Sequence, residues 1–187
     1  MLYTGKGDKG TTQTFGCCDQ RISKSSAVTE ALGSLDEVNS FLGVVKMHPR
    51  SREITVSSAR GVQMVAKTIE KIQQHLFIAQ AEVAGADKHI EEKNVREIED
   101  IINTIEAGLP PITTFFVSGG TELSALIDFA RTLARRAERR VVGVADEGSI
   151  IIHKDTLVYL NRLSSLLYAL ARQVNLSSGI TEESPNY

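Results

Sequence analysis

The first cluster of residues that could do chemistry is a glycine-rich stretch near the amino terminus. Its glycines let backbone amides approach a ligand closely, and its lysines and threonines add point charges and hydroxyls. Together these groups suit a polyphosphate chain; they are Thr4, Gly5, Lys6, Gly7, Asp8, Lys9, Gly10, Thr11 and Thr12. The stretch is not a Walker A loop, because no Lys followed by Ser or Thr comes after its last glycine. On composition alone, a flexible turn that binds nothing is an open alternative.

A second cluster is the arginine-rich segment RTLARRAERR, which runs from Arg131 to Arg140. At about 100° per residue, Arg131, Arg135 and Glu138 share one narrow arc of a helix, at the border of its apolar stripe. A half-buried guanidinium needs a carboxylate or a phosphate as its partner. Arg131 and Arg135 are therefore candidates for such contacts. The alternative is a solvated, charge-laced helix face, which fits Arg139 and Arg140 well.

Three further features could contribute to a site. Asn161 lies at the edge of an apolar helix stripe, and its amide offers the donor and acceptor that an adenine edge requires; a structural role is the alternative. Asp36 is either an ordinary helix acid or the partner of one of the border arginines. Phe115 and Phe116, close to Gly119-Gly120, form either a core plug or an apolar wall for a flat ligand.

Other familiar chemistries find no support in the sequence. No Ser/His/Asp triad is readable, and the four histidines have no shared ligand spacing; they are His48, His75, His89 and His153. Cys17 and Cys18 are adjacent, so they predict neither a disulfide framework nor a zinc site. We therefore expect no metal held by the protein itself.

The elements that must position these residues follow from hydrophobic periodicity. Five segments carry apolar residues at spacings of three and four, which predicts an all-α fold, a five-helix bundle. The predicted helices run from Ser26 to Met47, Arg52 to Ala84, Asn94 to Gly108, Thr121 to Ala145 and Asp155 to Leu176. Asn94 and Asp155 are the predicted caps of their helices. No segment is convincing as a strand, and residues 150–153 are the best candidate.

The same pattern predicts one domain over residues 1–187. A Gly-rich, nucleotide-binding loop at 1–24 precedes the helical bundle at 25–176, and 177–187 form a flexible tail. The net charge of −2 and the absence of tryptophan argue against a nucleic-acid binder. The polar start of the chain is unlike a signal peptide, and no apolar run is long enough for a membrane span. We expect a cytoplasmic protein.

With these pieces in order, the chain resembles the PduO-type ATP:cob(I)alamin adenosyltransferases. The matching segments are YTGKGDKGTT at 3–12, LGSLDEVNS at 32–40, FFVSGGTELSALIDFARTLARRAERRVV at 115–142 and LNRLS at 160–164. The resemblance implies a five-helix bundle that assembles as a homotrimer with active sites between subunits. It also implies transfer of the 5′-deoxyadenosyl group of ATP, supplied with Mg²⁺, to the cobalt of a reduced corrinoid, with release of triphosphate. A cob(II)alamin reductase and an adenosylcobalamin-dependent enzyme are the partners it implies.

The resemblance assigns the nucleotide to two parts of the chain. The loop from Thr4 to Gly10, with Thr12, would wrap the triphosphate, and Lys24 would also bind the nucleotide. The phosphates and the Mg²⁺ region would be held by Arg135, Glu138 and Arg139. Asn161 would bind the adenine or the ribose.

The resemblance assigns the corrinoid to other residues. Phe115 would face the corrin ring and displace its lower base ligand, although the choice between Phe115 and Phe116 stays open. Asp36 and Arg131 would form an ion pair between subunits that shapes the site.

Two other functions compete with this interpretation. A non-catalytic helical module that binds nucleotide or polyphosphate would need the loop and the arginines but no aromatic wall. A small-molecule kinase would release ADP instead of triphosphate. A helical nucleic-acid binder is disfavoured by the net charge.

Overall fold

The structure, a computed structural model, describes residues 2–15 and 20–186. Cys17 and Cys18, to which the sequence assigns no role, lie outside the described residues. Within that part of the chain five helices form a bundle, so the prediction of an all-α five-helix fold is confirmed. The helices are α1 (Ala27–Met47), α2 (Val65–Val83), α3 (Glu92–Ala107), α4 (Glu122–Glu147) and α5 (Lys154–Ser177). Not one of them is both long and apolar enough to cross a membrane.

The caps of two helices differ from the prediction. Asn94 was the expected cap of α3, but that helix begins at Glu92, and the Asn94 side chain instead accepts a hydrogen bond from the Glu91 backbone N–H at 3.1 Å. For α5 the expected cap was Asp155, but the side chain of His153 caps the helix by accepting the Asp155 N–H at 3.3 Å. A free amide at the start of α3 is thus satisfied by Asn94 from inside the helix, and one at the start of α5 is satisfied by His153.

The prediction of a helix from Arg52 to Ala84 is wrong over its first part. There the chain forms a 3₁₀ helix (Pro49–Arg52) and an antiparallel hairpin of strands Thr55–Ser58 and Gly61–Met64. Alternating burial, with Val56 buried and its neighbours more exposed, is typical of a strand. Ala59 and Arg60 form the turn of the hairpin, and Gly61, directly after it, has a φ of 116° that suits glycine.

A second small sheet precedes the bundle. Thr11–Thr12 pairs antiparallel with Ile22–Ser23, so these are β1 and β2, and the hairpin strands are β3 and β4. The expectation of no convincing strand is therefore wrong at the hairpin of β3 and β4, whereas β1 and β2 are extended pieces of two residues each. Residues 150–153, the strongest strand candidate in the sequence, form no strand.

The bundle core lies among α1, α2, α4 and α5, with α3 packed on α5. Two ion pairs show the relative orientation of α1 and α4. Glu37 pairs with Arg136, and Glu30 approaches Arg140 at 3.9 Å. Residue numbers rise along α1 as they fall along α4, so the two helices are antiparallel. The amino-terminal loop therefore lies at the late end of α4, and the segment that enters α4 lies at the opposite end.

Candidate functional site

A cleft of about 640 Å³ opens where the segment between α3 and α4 passes over α4 and α5. It brings together residues singled out in the sequence, among them Phe115, Phe116, Arg131 and Arg135. Residues from α5 and from the carboxy-terminal tail complete its lining, among them Tyr168, Arg172 and Glu182. The cleft therefore combines an aromatic side chain with guanidinium groups, which suits a flat ligand beside an anionic one.

The two consecutive phenylalanines differ in their surroundings. Phe115 is 79% exposed at the cleft. Phe116 is half-buried, and the guanidinium of Arg172 lies 5.1 Å from its ring centroid, a cation–π geometry. Phe116 is thus held by the protein, whereas Phe115 is free to meet a ligand. This difference favours Phe115 over Phe116 as the ligand-facing aromatic.

Arg131 finds its carboxylate partner inside its own helix. Its Nε–H donates to Asp128 at 2.6 Å, and the Ser118 hydroxyl donates to the other oxygen of Asp128 at 2.5 Å. Burial acts to raise the pKa of Asp128, but these two hydrogen bonds and the charge of Arg131 outweigh burial and leave that pKa below its ordinary value. Asp128 is therefore ionised at neutral pH and fastens Arg131 to the loop. Asp128 is not among the residues predicted from the sequence, although its position three residues before Arg131 on the same helix indicates an ion pair.

Asp36 does not pair with a border arginine within one chain. It is exposed on α1, in a shallow depression that also includes Phe77 and Gln80. Its neighbour Glu37 instead pairs with Arg136 of α4. The predicted pairing of Asp36 with Arg131 across a subunit boundary stays a prediction.

Two α4 arginines have no acidic partner in the part of the chain that the structure describes. Arg136 and Arg140 pair with acids of α1, so the interpretation of a charge-laced face fits both. By contrast, Arg135 and Arg139 are exposed and form no hydrogen bond or ion pair with another described side chain. Their charges therefore remain available for an anionic ligand.

Glu138 and Asn161 lie together, as expected of residues that share a site. The Asn161 Nδ2 donates to Glu138 at 2.8 Å, which joins α4 to α5. The Asn161 oxygen accepts from Arg162 at 2.8 Å, and Arg162 also pairs with Glu99 at 2.9 Å. Asn161 is exposed, and its amide keeps one N–H and one oxygen lone pair for a nucleotide base.

The amino-terminal loop is folded into successive tight turns. The Asp8 N–H donates to the Gly5 carbonyl at 3.2 Å, and the Gly10 N–H donates to the Gly7 carbonyl at 3.1 Å. Gly5 and Gly10 have φ of 69° and 76°, which favour glycine. Lys24 lies against this loop: a Cβ on Gly7 would stand 3.0 Å from its Nζ. The structure thus brings Lys24 to the loop, and its role in binding the nucleotide stays a prediction.

Arg21 holds the loop in shape and was not found by the sequence analysis. Its Nε donates to the Thr11 hydroxyl at 2.8 Å, and its Nη2 donates to the carbonyls of Lys6 and Thr11 at 2.7 Å each. These contacts depend on the pairing of β1 with β2. No local sequence pattern signals them.

Within one chain the cleft lies along α4 from Ser124 to Arg135, whereas the amino-terminal loop lies toward the late end of the helix. Ser118 contacts Asp128 near the start of the helix, and Glu30 approaches Arg140 twelve residues further along. At about 1.5 Å per residue this separation is about 18 Å. Among the described residues, none from Thr4 to Thr12 forms a hydrogen bond or ion pair with α4. The structure therefore does not unite the loop with the arginines in a single chain.

Comparison with known sequences identifies relatives over nearly the whole chain. A sequence model of the cobalamin adenosyltransferase family matches residues 2–174. The corrinoid adenosyltransferase PduO of Citrobacter freundii is 37% identical over 178 residues, which cover 91% of this chain and 49% of that protein. The corrinoid adenosyltransferase of Bacillus subtilis strain 168 is 36% identical over 183 residues, which cover 96% and 89%. The chain spans about half the length of the Citrobacter relative.

Solved structures with a similar fold carry related names. One is a Phe-to-Ala variant of a PduO-type ATP:corrinoid adenosyltransferase from Lactobacillus reuteri complexed with cobalamin and ATP. It has a TM-score of 0.87 and 29% identity, and it covers 100% of both chains. An Arg-to-Lys variant from the same organism, complexed with ATP, has a TM-score of 0.86 and 29% identity and covers 99% of this chain and 100% of that one.

Proposed function

Because this chain belongs to the cobalamin adenosyltransferase family, we propose that it transfers the 5′-deoxyadenosyl group of ATP to the cobalt of cob(I)alamin. The electron pair of cobalt(I) attacks the 5′ carbon, a cobalt–carbon bond forms, and the carbon–oxygen bond to the triphosphate breaks. The products are adenosylcobalamin and triphosphate. The observation that carries this proposal is the cleft in which an exposed aromatic ring, Phe115, lies beside Arg135, a guanidinium without an acidic partner.

This reaction does not require a nucleophile or a general base from the protein. The corrinoid is itself the nucleophile, so no serine, cysteine or base needs to be activated. The protein must align cobalt, carbon and leaving oxygen, and it must neutralise the polyphosphate as it departs. A cleft built from arginines and an aromatic side chain, without a catalytic triad, is suited to those tasks.

The nucleotide half of the proposed site combines the amino-terminal loop with residues near the middle of α4 and with Asn161 of α5. Arg135 and Arg139 hold the triphosphate with the loop from Thr4 to Gly10, Thr12 and Lys24. Asn161 and Glu138 bind the nucleoside and the Mg²⁺ region. Within the described residues, no group of three or more His, Cys, Asp or Glu side chains is arranged to hold a metal ion. In this proposal the phosphates of ATP and Glu138 hold the Mg²⁺ that accompanies the nucleotide.

The corrinoid half of the proposed site is the cleft at Phe115. The exposed ring occupies the side of the corrin from which the lower base ligand must leave, and loss of that ligand makes cobalt easier to reduce. Arg131, fixed by Asp128 through its Nε, keeps its two terminal nitrogens for Asp36 of a second copy.

Assembly as a homotrimer with sites between subunits is part of this proposal. Its support is that, among the described residues, none from Thr4 to Thr12 forms a hydrogen bond or ion pair with α4 of the same chain. A loop from a neighbouring copy would supply the contacts that the loop of the same chain does not make. A reductase and an adenosylcobalamin-dependent enzyme as partners, and a cytoplasmic location, stay predictions from the sequence.

The proposal is tested by mixing the protein with ATP, Mg²⁺ and chemically reduced cobalamin. We expect the absorbance spectrum of adenosylcobalamin to grow, with one triphosphate released for each cobalamin alkylated. ADP as the product would indicate a kinase. Tight ATP binding without any alkylation would indicate the non-catalytic module, and either result would contradict the proposed function.

A further inference from the structure

Arg172 is a charged residue buried almost completely beneath the cleft. It lies on α5 and is only 3% exposed. Its Nε donates to the Glu182 carboxylate at 2.7 Å, its Nη2 donates to the Pro110 carbonyl at 3.0 Å, and its guanidinium lies over the ring of Phe116. One side chain thus joins α5 to two separate segments, the loop before α4 and the carboxy-terminal tail.

The loop that carries Phe115 is fastened on both sides of that residue. The Val117 N–H donates to the Glu183 carbonyl of the tail at 2.8 Å, and Ser118 donates to Asp128. Arg172 holds Pro110 and Phe116.

Asn175, three residues after Arg172, secures the end of the same loop. Its Nδ2 donates to the Gly119 carbonyl at 3.0 Å, and its Oδ1 accepts from the Thr121 N–H at 3.2 Å. A Cβ on Gly120 would lie 2.5 Å from that Oδ1, so the close approach requires glycine. The Phe115 side chain takes no part in these contacts, although the loop that carries it is held in place by them.

We propose that Arg172 and Glu182 form a positioning clamp that sets the depth of the Phe115 ring in the corrinoid site. This inference rests on the proposed function. A buried ion pair adds little net stability compared with apolar residues of similar size, so stability alone does not account for the pair. A planar guanidinium, in contrast, fixes a carboxylate, a carbonyl and a ring face in one geometry. Displacing an axial ligand demands such a fixed geometry, because a displacement of about 1 Å at the reacting centre costs about 100-fold in rate.

The test uses two variants that alter the clamp in different ways. Glu182→Gln removes the charge but keeps the shape, and it changes a residue of the tail rather than of a helix. Arg172→Lys keeps the charge but removes the planar fork over Phe116. The control is Glu82→Gln, which alters a buried carboxylate that accepts from the His153 N–H and the Thr156 hydroxyl and lines no part of the cleft.

The first readout is the electron paramagnetic resonance spectrum of cob(II)alamin bound with ATP. In the wild type we expect the splitting from the lower-base nitrogen to disappear. In both clamp variants we expect that splitting to persist in most of the bound cofactor, while the affinity for ATP stays within about twofold. The control variant should match the wild type.

The second readout compares cobalamin with cobinamide, which lacks the lower base. We expect both clamp variants to lose about tenfold in kcat with cobalamin and less than about threefold with cobinamide. Equal losses with the two substrates, an equally selective loss in Glu82→Gln, or a Glu182→Gln variant identical to the wild type would overturn the inference. A wild type that forms no adenosylcobalamin would overturn the proposed function, whereas an active wild type with unselective variants overturns only the clamp.

Discussion

Substitution of Arg135 by alanine tests whether this arginine binds the triphosphate or stabilises the fold. Arg135 is exposed and lines the cleft without any described acidic partner, so Arg135→Ala should change the free energy of unfolding by less than about 0.5 kcal/mol. A hydrogen bond to a charged group contributes about 1.5–3 kcal/mol, which corresponds to a loss of about 10- to 150-fold in kcat/KM. Charge on the triphosphate builds up as the bond breaks, so kcat should fall and not KM alone.

The assay is the initial rate of adenosylcobalamin formation at varied ATP, with Arg136→Ala as the matched control. Arg136 is the next residue on the same helix, and its half-exposed ion pair with Glu37 contributes at most about 1 kcal/mol to stability. The control removes the same charge from α4, so its kcat/KM should stay within about twofold of the wild type. Equal losses in the two variants, or a wild-type kcat in Arg135→Ala, would refute the assignment of Arg135 to the triphosphate.

Three further predictions concern the aromatic ring, the assembly and pH. Because the Phe115 ring is exposed, Phe115→Ala should leave the free energy of unfolding and the affinity for ATP unchanged. It should lower the rate with cobalamin more than the rate with cobinamide. An equal loss of ATP affinity would mean that the ring is misassigned. Asp36→Ala should lower the activity by about tenfold and dissociate the trimer on dilution, which light scattering measures; an unchanged mass and rate would exclude the pairing with Arg131. Burial, with Lys71 adding to it and Glu97 opposing it, holds the pKa of His75 below 6.5. His75 therefore binds a proton more tightly in the unfolded chain than in the folded protein, so the free energy of unfolding should fall by up to about 1.4 kcal/mol per pH unit below pH 6.5. Urea unfolding at several pH values measures this slope, which should be smaller in His75→Gln. Identical slopes in the two proteins would contradict the prediction.

The helices were predictable because their apolar stripes are long and regular. The bounds of α1 and α4 lie close to those expected, since each begins at a capping residue, Ser26 or Thr121, whose side chain accepts a backbone N–H. The hairpin of β3 and β4 was missed because a segment of four residues per strand offers too short a pattern against a helical one beside it. The glycine directly after its turn, Gly61, was the available signal.

The site was predictable where residue type alone decides the chemistry, as with the loop glycines and the arginines of α4. The sequence could not distinguish Phe115 from Phe116, because their difference depends on Arg172, which lies 56 positions after Phe116. The clamp with Glu182 was hidden for the same reason: the tail is polar and irregular, and only packing shows which of its acids meets a buried cation.

The central claim is that the loop of one copy closes over a nucleotide held by α4 of another, and mixed assemblies test it most directly. One inactive chain carries Arg135→Ala, and the other carries Lys6→Ala with Lys24→Ala. Random mixing of equal amounts places an intact loop beside an intact helix at about a quarter of the sites, so we expect about a quarter of the wild-type activity to return. Mixtures that stay as inactive as their components, although mass measurements show that subunits have exchanged, would contradict the account.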